Sequence, residues 1–409
     1  MRQIRTALFA LAAIAVVFAG VAQAAELSSE PTLRVEAGMN TAAIKNISLS
    51  ADGRLLATGS SDKTVRLWSL PDGKLIRTLR LPIDAGRGGK VYAVALSPDG
   101  TTVAAGGFDA ADSVERQMYV YILDAASGAI RQRLGPLHDA VFGLRFSPDG
   151  RQLAAGLGGT SGIRVWRSSD WTKTGQDTNY GDAVFGMSFA GDGRLATTSL
   201  DGHVRLYNAE LKLLRKVKAH AGRKPFDIAF APDGNSIAVA YYDTAAVDVF
   251  SAPTLQQRFV VDAKGLDSGN LQSVAWSAKG GTLFAGGTYA LTDGSSPILA
   301  WDSAGRGARR ILPGVRDSIV ALLPYGEDGV AFGGADPAFG LIDDAGKRQL
   351  FQGPVTADMR AKFGPAFTVA ADGRQVRFGL EIGDAKPWLF DVNSPSFVDS
   401  PNKIGRAHV

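Results

Sequence analysis

Residues 47–69 read ISLSADGRLLATGSSDKTVRLWS, and the pattern of this stretch decides the fold. From Ile47 onward apolar residues alternate with serines, as they do in a strand that buries one face. The pair Asp52-Gly53 supplies the backbone conformation of a tight turn between antiparallel strands. A second apolar run begins at Leu55, and a third ends at Trp68. The stretch therefore predicts a three-stranded meander.

The same pattern recurs along the rest of the chain. An apolar pair stands ahead of each turn, and each third strand ends in a large apolar residue. The units follow at intervals of roughly 41 to 50 residues, close to the length of a four-stranded propeller blade. The turns are Asp52-Gly53, Asp99-Gly100, Asp149-Gly150, Asp192-Gly193, Asp233-Gly234, Lys279-Gly280, Asp328-Gly329 and Asp372-Gly373.

These repeats resemble those of the WD40 family, which implies an all-β propeller of four-stranded blades. Counting the units predicts eight blades, with the strand-like Thr32–Glu36 closing the ring beside Trp388–Asp391. A seven-bladed ring with one loose unit is the alternative, and a strand near Ser396–Val398 could take the place of the N-terminal one. The family's Gly-His dipeptide is mostly absent, so its buried His–Asp hydrogen-bond network is not predicted here.

The first residues are typical of an export signal. Met1–Ala24 has a basic start, an uninterrupted apolar stretch and a small-x-small exit at Ala22-Gln23-Ala24. An uncleaved membrane anchor is the alternative. We therefore expect residues 25–398 to form the propeller, without membrane insertion after cleavage, in a periplasmic or secreted protein. The chain has no cysteine, which excludes a disulfide framework.

Residue composition and motif spacing predict no catalytic or metal-binding centre. Aspartates recur between second and third strands, but they recur with the period of the fold, and capping of their own turns explains them. The four histidines are far apart and lack metal-ligand spacing. We therefore predict no catalytic residue, no metal and no cofactor. A net charge of +4 on 409 residues does not favour nucleic acid as a partner. The recurring aspartates are Asp62, Asp201, Asp243 and Asp336.

The long loops lie on one face of the predicted ring. The excursions at 81–90 and 108–117, and those at 262–272 and 288–297, all connect strands on the side opposite the Asp-Gly turns. Insertions collected on one face of a repeat array usually mark the binding face, although neutral loop drift is an alternative. The candidate binding residues for a protein or peptide are Arg87, Lys90, Phe108, Arg116, Asp267, Tyr289 and Asp293.

The end of the chain differs in character from the repeats. Residues 399–409 are expected to be disordered, and Ile404–Val409 resembles the translation of a sequencing-library adapter, which predicts a natural chain interrupted near Lys403. The runs at 29–68, GIRVWRSSDW and GGADPAFGLIDDAGKRQLFQGP resemble exported bacterial proteins that join WD40 repeats to a caspase-like cysteine-peptidase domain.

Two functions from different classes follow. The favoured one is a non-enzymatic interaction or regulatory module of a larger exported protein, whose partner is a peptide, another protein or a C-terminal domain of its own full-length chain. The resemblance places the peptidase beyond this sequence, because a cysteine nucleophile is absent here. The alternative is a propeller enzyme, lactonase-like or dehydrogenase-like, with ligands that converge on the ring centre.

Overall fold

The computed structural model describes residues 38–83, 87–109, 117–219, 223–266, 268–353, 367–378, 388–391 and 396–398. They form eight antiparallel sheets, each made of four strands that follow one another in the sequence. The first four sheets are β1 Ile44–Leu49, β2 Leu55–Ser60, β3 Thr64–Ser69, β4 Leu75–Arg80; β5 Val91–Leu96, β6 Thr102–Gly107, β7 Met118–Asp124, β8 Ile130–Leu137; β9 Val141–Phe146, β10 Gln152–Leu157, β11 Ile163–Arg167, β12 Lys173–Asp177; and β13 Val184–Phe189, β14 Leu195–Ser199, β15 His203–Tyr207, β16 Leu213–Lys218.

The remaining sheets repeat the same order, and one short helical turn, α1 Asp302–Gly305, interrupts the sixth. They are β17 Pro225–Phe230, β18 Ser236–Tyr241, β19 Val247–Ser251, β20 Gln257–Val260; β21 Ser273–Trp276, β22 Leu283–Gly286, β23 Ser296–Trp301, β24 Arg309–Val315; β25 Ile319–Tyr325, β26 Gly329–Gly334, β27 Phe339–Ile342, β28 Arg348–Gln352; and β29 Phe367–Val369, β30 Gln375–Phe378, β31 Trp388–Asp391, β32 Ser396–Val398.

The ring has seven blades, and the prediction of eight was wrong. The first strands of the first seven sheets contact one another in a closed cycle, in the order β1, β5, β9, β13, β17, β21, β25 and back to β1. The first strand of each blade is thus the innermost, beside the channel. The repeat pattern counts meanders correctly, but which two sheets close the ring depends on long-range contacts that no single repeat contains.

The seam between the first and seventh blades is closed by side chains. Ile44, Ile47 and Trp68 share one apolar cluster with Phe339 and Leu341 of the seventh blade. The ring centroids of Trp68 and Phe339 are 4.7 Å apart. Because each of the two blades supplies all four of its own strands, the ring closes without exchanging a strand.

The eighth sheet completes itself. Its third strand, β31, pairs with β30 on one side and β32 on the other, with Leu389 opposite Val398. Both edges of β31 are therefore occupied, which contradicts the predicted pairing with Thr32–Glu36 and favours the alternative strand at Ser396–Val398. Thr32–Glu36 itself, the leader 1–24 and the end 399–409 lie outside the described residues.

The two faces of the ring differ in their connections. On the turn face, Asp52 Oδ1 accepts hydrogen bonds from Ser50 Oγ (2.6 Å) and Arg54 N (3.0 Å), and Gly53 has a φ of 68°. The same Ser-x-Asp-Gly geometry recurs in the next two blades. The loop face carries the longer connections. The ring begins in blade one and ends after Gln352 in blade seven, and both ends lie on the loop face because each blade has four alternating strands.

Candidate protein-interaction face

Three of the predicted binding residues meet on the loop face of the second blade. Lys90 N donates to Arg87 O (3.1 Å), and Phe108 N donates to Lys90 O (3.2 Å). The Arg87 guanidinium lies over the Phe108 ring, 5.7 Å from its centroid. Backbone pairing between the two loops therefore brings together side chains that are 18 to 21 residues apart in the sequence.

Two further predicted residues lie on the sixth blade. Tyr289 and Asp293 line a cavity of about 420 Å³ together with Gly265 and Ser268. The Asp293 carboxylate also organises its own turn, because it accepts hydrogen bonds from Ser295 N (2.8 Å) and Ser295 Oγ (2.6 Å). In the described ranges no hydrogen bond, ion pair or ring contact joins this cavity to the group on the second blade. Arg116 and Asp267 lie outside the described residues.

The inner strands place a row of aromatic rings at the mouth of the channel, which the sequence prediction missed. The second residue of four consecutive inner strands is aromatic. Phe108 and Tyr242, each of which directly follows the second strand of its blade, extend the row. The sequence signal was the repeated Val-Phe-Gly at 141–143 and 184–186. We call this row the aromatic belt; it consists of Tyr92, Phe108, Phe142, Phe185, Phe226 and Tyr242.

The belt is tightest between the third and fifth blades. The centroids of Phe142 and Phe185 are 4.6 Å apart with planes at 9°, and those of Phe185 and Phe226 are 4.5 Å apart. Glycine permits this approach: a Cβ on Gly143 would lie 2.7 Å from Phe185 O, and one on Gly186 would lie 2.6 Å from Phe226 O. The glycines that follow Phe142 and Phe185 thus let neighbouring inner strands pack closely enough for the rings to stack.

Cationic groups flank one end of the belt. The Lys45 ammonium lies 5.6 Å from the centroid of Tyr92. Burial, together with the nearby charge of Lys90, lowers the pKa of Lys45, and Asp317 partly offsets that shift. Arg87 completes the group through its contact with Phe108. The mouth of the channel therefore combines apolar rings with positive charge.

The channel itself contains polar side chains from three blades. Arg145 Nη1 donates to Leu144 O (3.0 Å) and reaches Asn46 Oδ1 on the first blade (3.4 Å). Burial lowers the pKa of Arg145, and the charge of Asp227 on the fifth blade opposes that shift. The Asp227 carboxylate already accepts bonds from Ile228 N (2.9 Å), Ser273 Oγ (3.2 Å) and Val274 N (3.1 Å). Its lone pairs are thus directed to the protein's own donors.

Within the described ranges, no group of three or more His, Cys, Asp or Glu side chains is placed to hold a metal ion. In the same part of the chain, no helix has the length and apolar character needed to cross a membrane.

Comparison with known proteins identifies the repeats. The family described as WD domain, G-beta repeat matches residues 33–69, 73–111, 132–167 and 172–208. The chain contains WD40 repeats. It is similar to WD repeat-containing protein VIP3 of Arabidopsis thaliana, with 30% identity over 117 residues, 29% of this chain and 32% of that protein.

Two other relatives match shorter segments of the chain. Coronin-7 of Mus musculus is 34% identical over 105 residues, 25% of this chain and 11% of that protein. Nuclear distribution protein PAC1 of Mycosarcoma maydis is 35% identical over 83 residues, 20% of this chain and 17% of that protein. The chain thus spans about a third or less of the length of each of these curated relatives.

The first WD40 repeat builds a buried polar network without histidine. Trp68 Nε1 donates to Thr58 Oγ1 (3.0 Å), which also accepts from Asn40 Nδ2 (3.1 Å). Arg66, with only 2% of its side chain exposed, pairs with Asp62 at 2.7 Å. Asn40 therefore supplies hydrogen bonds from the loop before the first inner strand, where no histidine is available.

The fourth repeat uses tyrosines for the same purpose. Tyr180 OH lies 2.8 Å from Thr197 Oγ1 and 2.9 Å from Tyr207 OH. Arg205 pairs with Asp201 at 2.6 Å. Burial alone would raise the pKa of Asp201, but the bonds and charge of Arg205 outweigh it and hold that pKa well below its usual range. The network is structural, because its polar groups are directed at one another.

The recurring aspartates do more than cap their own turns. Asp62 and Asp201 do accept a bond from the backbone N–H two residues later. All four aspartates also accept a backbone N–H from the loop that enters the same blade. The donors are Thr41 N to Asp62 (2.9 Å), Gly181 N to Asp201 (3.0 Å), Lys224 N to Asp243 (3.0 Å) and Arg316 N to Asp336 (2.9 Å). These carboxylates therefore tie the loop between second and third strands to the loop that enters the blade.

Proposed function

We propose that this WD40 propeller is a non-enzymatic interaction module that binds a segment of another polypeptide across the aromatic belt. The observation that carries the proposal is the belt itself: six aromatic rings form one continuous row on the loop face, at the mouth of the channel. Clustered aromatic side chains are the commonest anchors of protein interfaces. The cavity beside Tyr289 and Asp293 is a separate, smaller contact zone in this proposal.

We also propose that the module works in a larger exported protein, periplasmic or secreted, and that its partner includes a C-terminal domain of the same full-length chain. The export pattern of Met1–Ala24 and the likeness to exported WD40 proteins with a caspase-like domain support this part. Recovery of the complete gene and fractionation of cells expressing it test the proposal directly. A continuous reading frame that ends near Lys403, or a cytoplasmic product, would contradict it.

The binding proposal is tested by selecting peptides from a displayed random library on the immobilised protein. Affinity is then measured by fluorescence anisotropy for the wild type and for Phe108→Ala/Tyr242→Ala, a variant at the two ends of the belt. Tyr242 is 51% exposed, so its removal leaves the core intact. Loss of two interface anchors is expected to weaken binding by about tenfold or more.

The matched control is Arg54→Ala/Arg151→Ala on the turn face, where the two side chains are 82% and 85% exposed. This variant is expected to bind like the wild type. Equal affinity in the belt variant, or binding lost in the turn-face variant instead, would contradict the proposed function.

A further inference from the structure

The stacked rings of the belt expose their edges to the channel mouth. Phe185 is stacked between Phe142 and Phe226, and Phe226 is stacked between Phe185 and Tyr242. Both faces of these two rings are therefore covered, and the part that remains exposed is the edge. The edge of an aromatic ring carries partial positive charge, whereas its face carries partial negative charge. The middle of the belt thus favours oxygen atoms that carry negative charge.

The cations beside the belt lack carboxylate partners among the described residues. Lys45, Arg87 and Lys90 form no ion pair within 4 Å there, whereas Arg66 and Arg205 are paired inside their blades. Lys45 and Arg87 instead lie against Tyr92 and Phe108. Their positive charge is therefore available to a ligand.

Nearby carboxylates are already engaged by the protein. Asp109 accepts a hydrogen bond from Tyr121 OH (2.7 Å), and Asp317 accepts from Ser318 N (2.6 Å) and Ser318 Oγ (2.9 Å). Asp317 acts on Lys45 electrostatically without forming an ion pair with it.

Arg145 provides a further positive group inside the channel. It lies three residues along its strand from Phe142, which places it roughly 10 Å below the belt at about 3.3 Å per residue. Among the described residues its hydrogen bonds use only Nη1, and no carboxylate lies within ion-pair distance. Asp227 acts on it electrostatically, but the Asp227 carboxylate accepts its hydrogen bonds from three other donors. A carboxylate is the group that matches a guanidinium best, so Arg145 can pair with an acidic group that enters the channel.

We propose that the partner of the loop face is an acidic peptide with apolar neighbours, whose carboxylates meet Lys45, Arg87 and Lys90 at the mouth and Arg145 within the channel. This inference rests on the proposed function and adds the chemical class of the partner. The exposed ring edges contact both carboxylate oxygens of the peptide and the apolar side chains beside them. A single-stranded nucleic acid is the less favoured anion, because its bases need free aromatic faces for stacking and the belt has few.

The test uses fluorescein-labelled peptides of alternating Glu and Leu, a matched series with Gln in place of Glu, and a series with Lys. Each is made with a free and with an amidated C-terminus, so that side-chain and terminal carboxylates are distinguished. We expect the Glu peptides to bind about tenfold more tightly than the Gln peptides, with affinity that falls as salt is raised. The Lys peptides are expected to bind most weakly.

The variants Lys45→Gln/Lys90→Gln and Arg145→Gln are expected to remove most of the preference for Glu over Gln. The control Lys212→Gln/Lys216→Gln makes the same charge change at two exposed lysines, one just before β16 and one within it, and should keep that preference. Because Lys45 and Lys90 are only partly buried, their variant tests the inference even where Arg145→Gln fails to fold.

Three outcomes would overturn the inference: equal binding of Glu and Gln peptides, an equal loss in the control variant, or displacement of the Glu peptide by an oligothymidylate that binds more tightly. If the Gln peptide binds as well as the Glu peptide but binds the Phe108→Ala/Tyr242→Ala variant more weakly, only the preference for acidic peptides is contradicted. The proposed function would then stand, so the two failures are distinguishable.

Discussion

The seven-bladed closure predicts an energetic coupling between Trp68 and Phe339. Both side chains are fully buried, at 1% and 0% exposure, and their rings are 4.7 Å apart across the seam. Phe339→Leu removes ring atoms from a packed site and is expected to cost about 1–3 kcal/mol of unfolding free energy. Trp68→Leu removes the indole ring together with its bond to Thr58 and is expected to cost about 2–4 kcal/mol. The double variant should lose less than the sum, by about 0.5–1.5 kcal/mol, because the aromatic contact is lost only once.

Guanidinium unfolding followed by far-UV circular dichroism measures the four free energies of this cycle. The control replaces Phe339→Leu with Phe284→Leu, another fully buried ring, which packs between the sixth and seventh blades. Its effect should add to that of Trp68→Leu within about 0.3–0.5 kcal/mol, because the two side chains lie in separate apolar clusters. Additivity of Trp68 with Phe339 would refute the seven-bladed closure, since an eighth blade would then separate the two rings.

Two further predictions concern polar groups inside the blades. Asn40→Ala should lower the unfolding free energy by about 1–3 kcal/mol in denaturant titrations, because it removes a hydrogen-bond partner of Thr58 and of the buried Arg66. An unchanged denaturation midpoint would contradict the role of Asn40 in this network. Burial raises the pKa of Asp336 to about 6, and one oxygen of its carboxylate accepts no hydrogen bond from the described residues. Because the folded state then holds this proton more tightly than the unfolded state, stability should fall by about 1–3 kcal/mol as pH rises from about 4 to 6. Asp336→Asn should flatten that dependence, and a variant with the wild-type pH profile would contradict the assignment.

The sequence predicted the strands well because each one is specified locally. Alternating apolar residues around Ile47 and the turn at Asp52-Gly53 determine a meander without reference to distant parts of the chain. Ring closure is different, because it depends on whether the apolar face of the first blade packs against the seventh blade or the eighth. Phe339 and Leu341 supply that match, and their role is visible only in the assembled ring.

The candidate site was predicted in part. Loop position alone brought Arg87, Lys90 and Phe108 to one face, and the structure confirms that placement, while their binding role stays a prediction. The stacked part of the belt was missed because Phe142 and Phe185 occupy strand positions, where an apolar residue normally indicates core. Only the spacing of neighbouring inner strands shows that these rings meet one another at the channel mouth.

The side-chain seam has a consequence for any domain joined to the propeller. The ring ends at Gln352 in the seventh blade, beside the first, and that end lies on the same face as the aromatic belt. A ligand sequence attached there by a short flexible linker would meet the belt at an effective concentration on the order of millimolar. Even a segment of low intrinsic affinity would then occupy the face. A competing partner of equal affinity in solution would need a concentration above that local value to displace it.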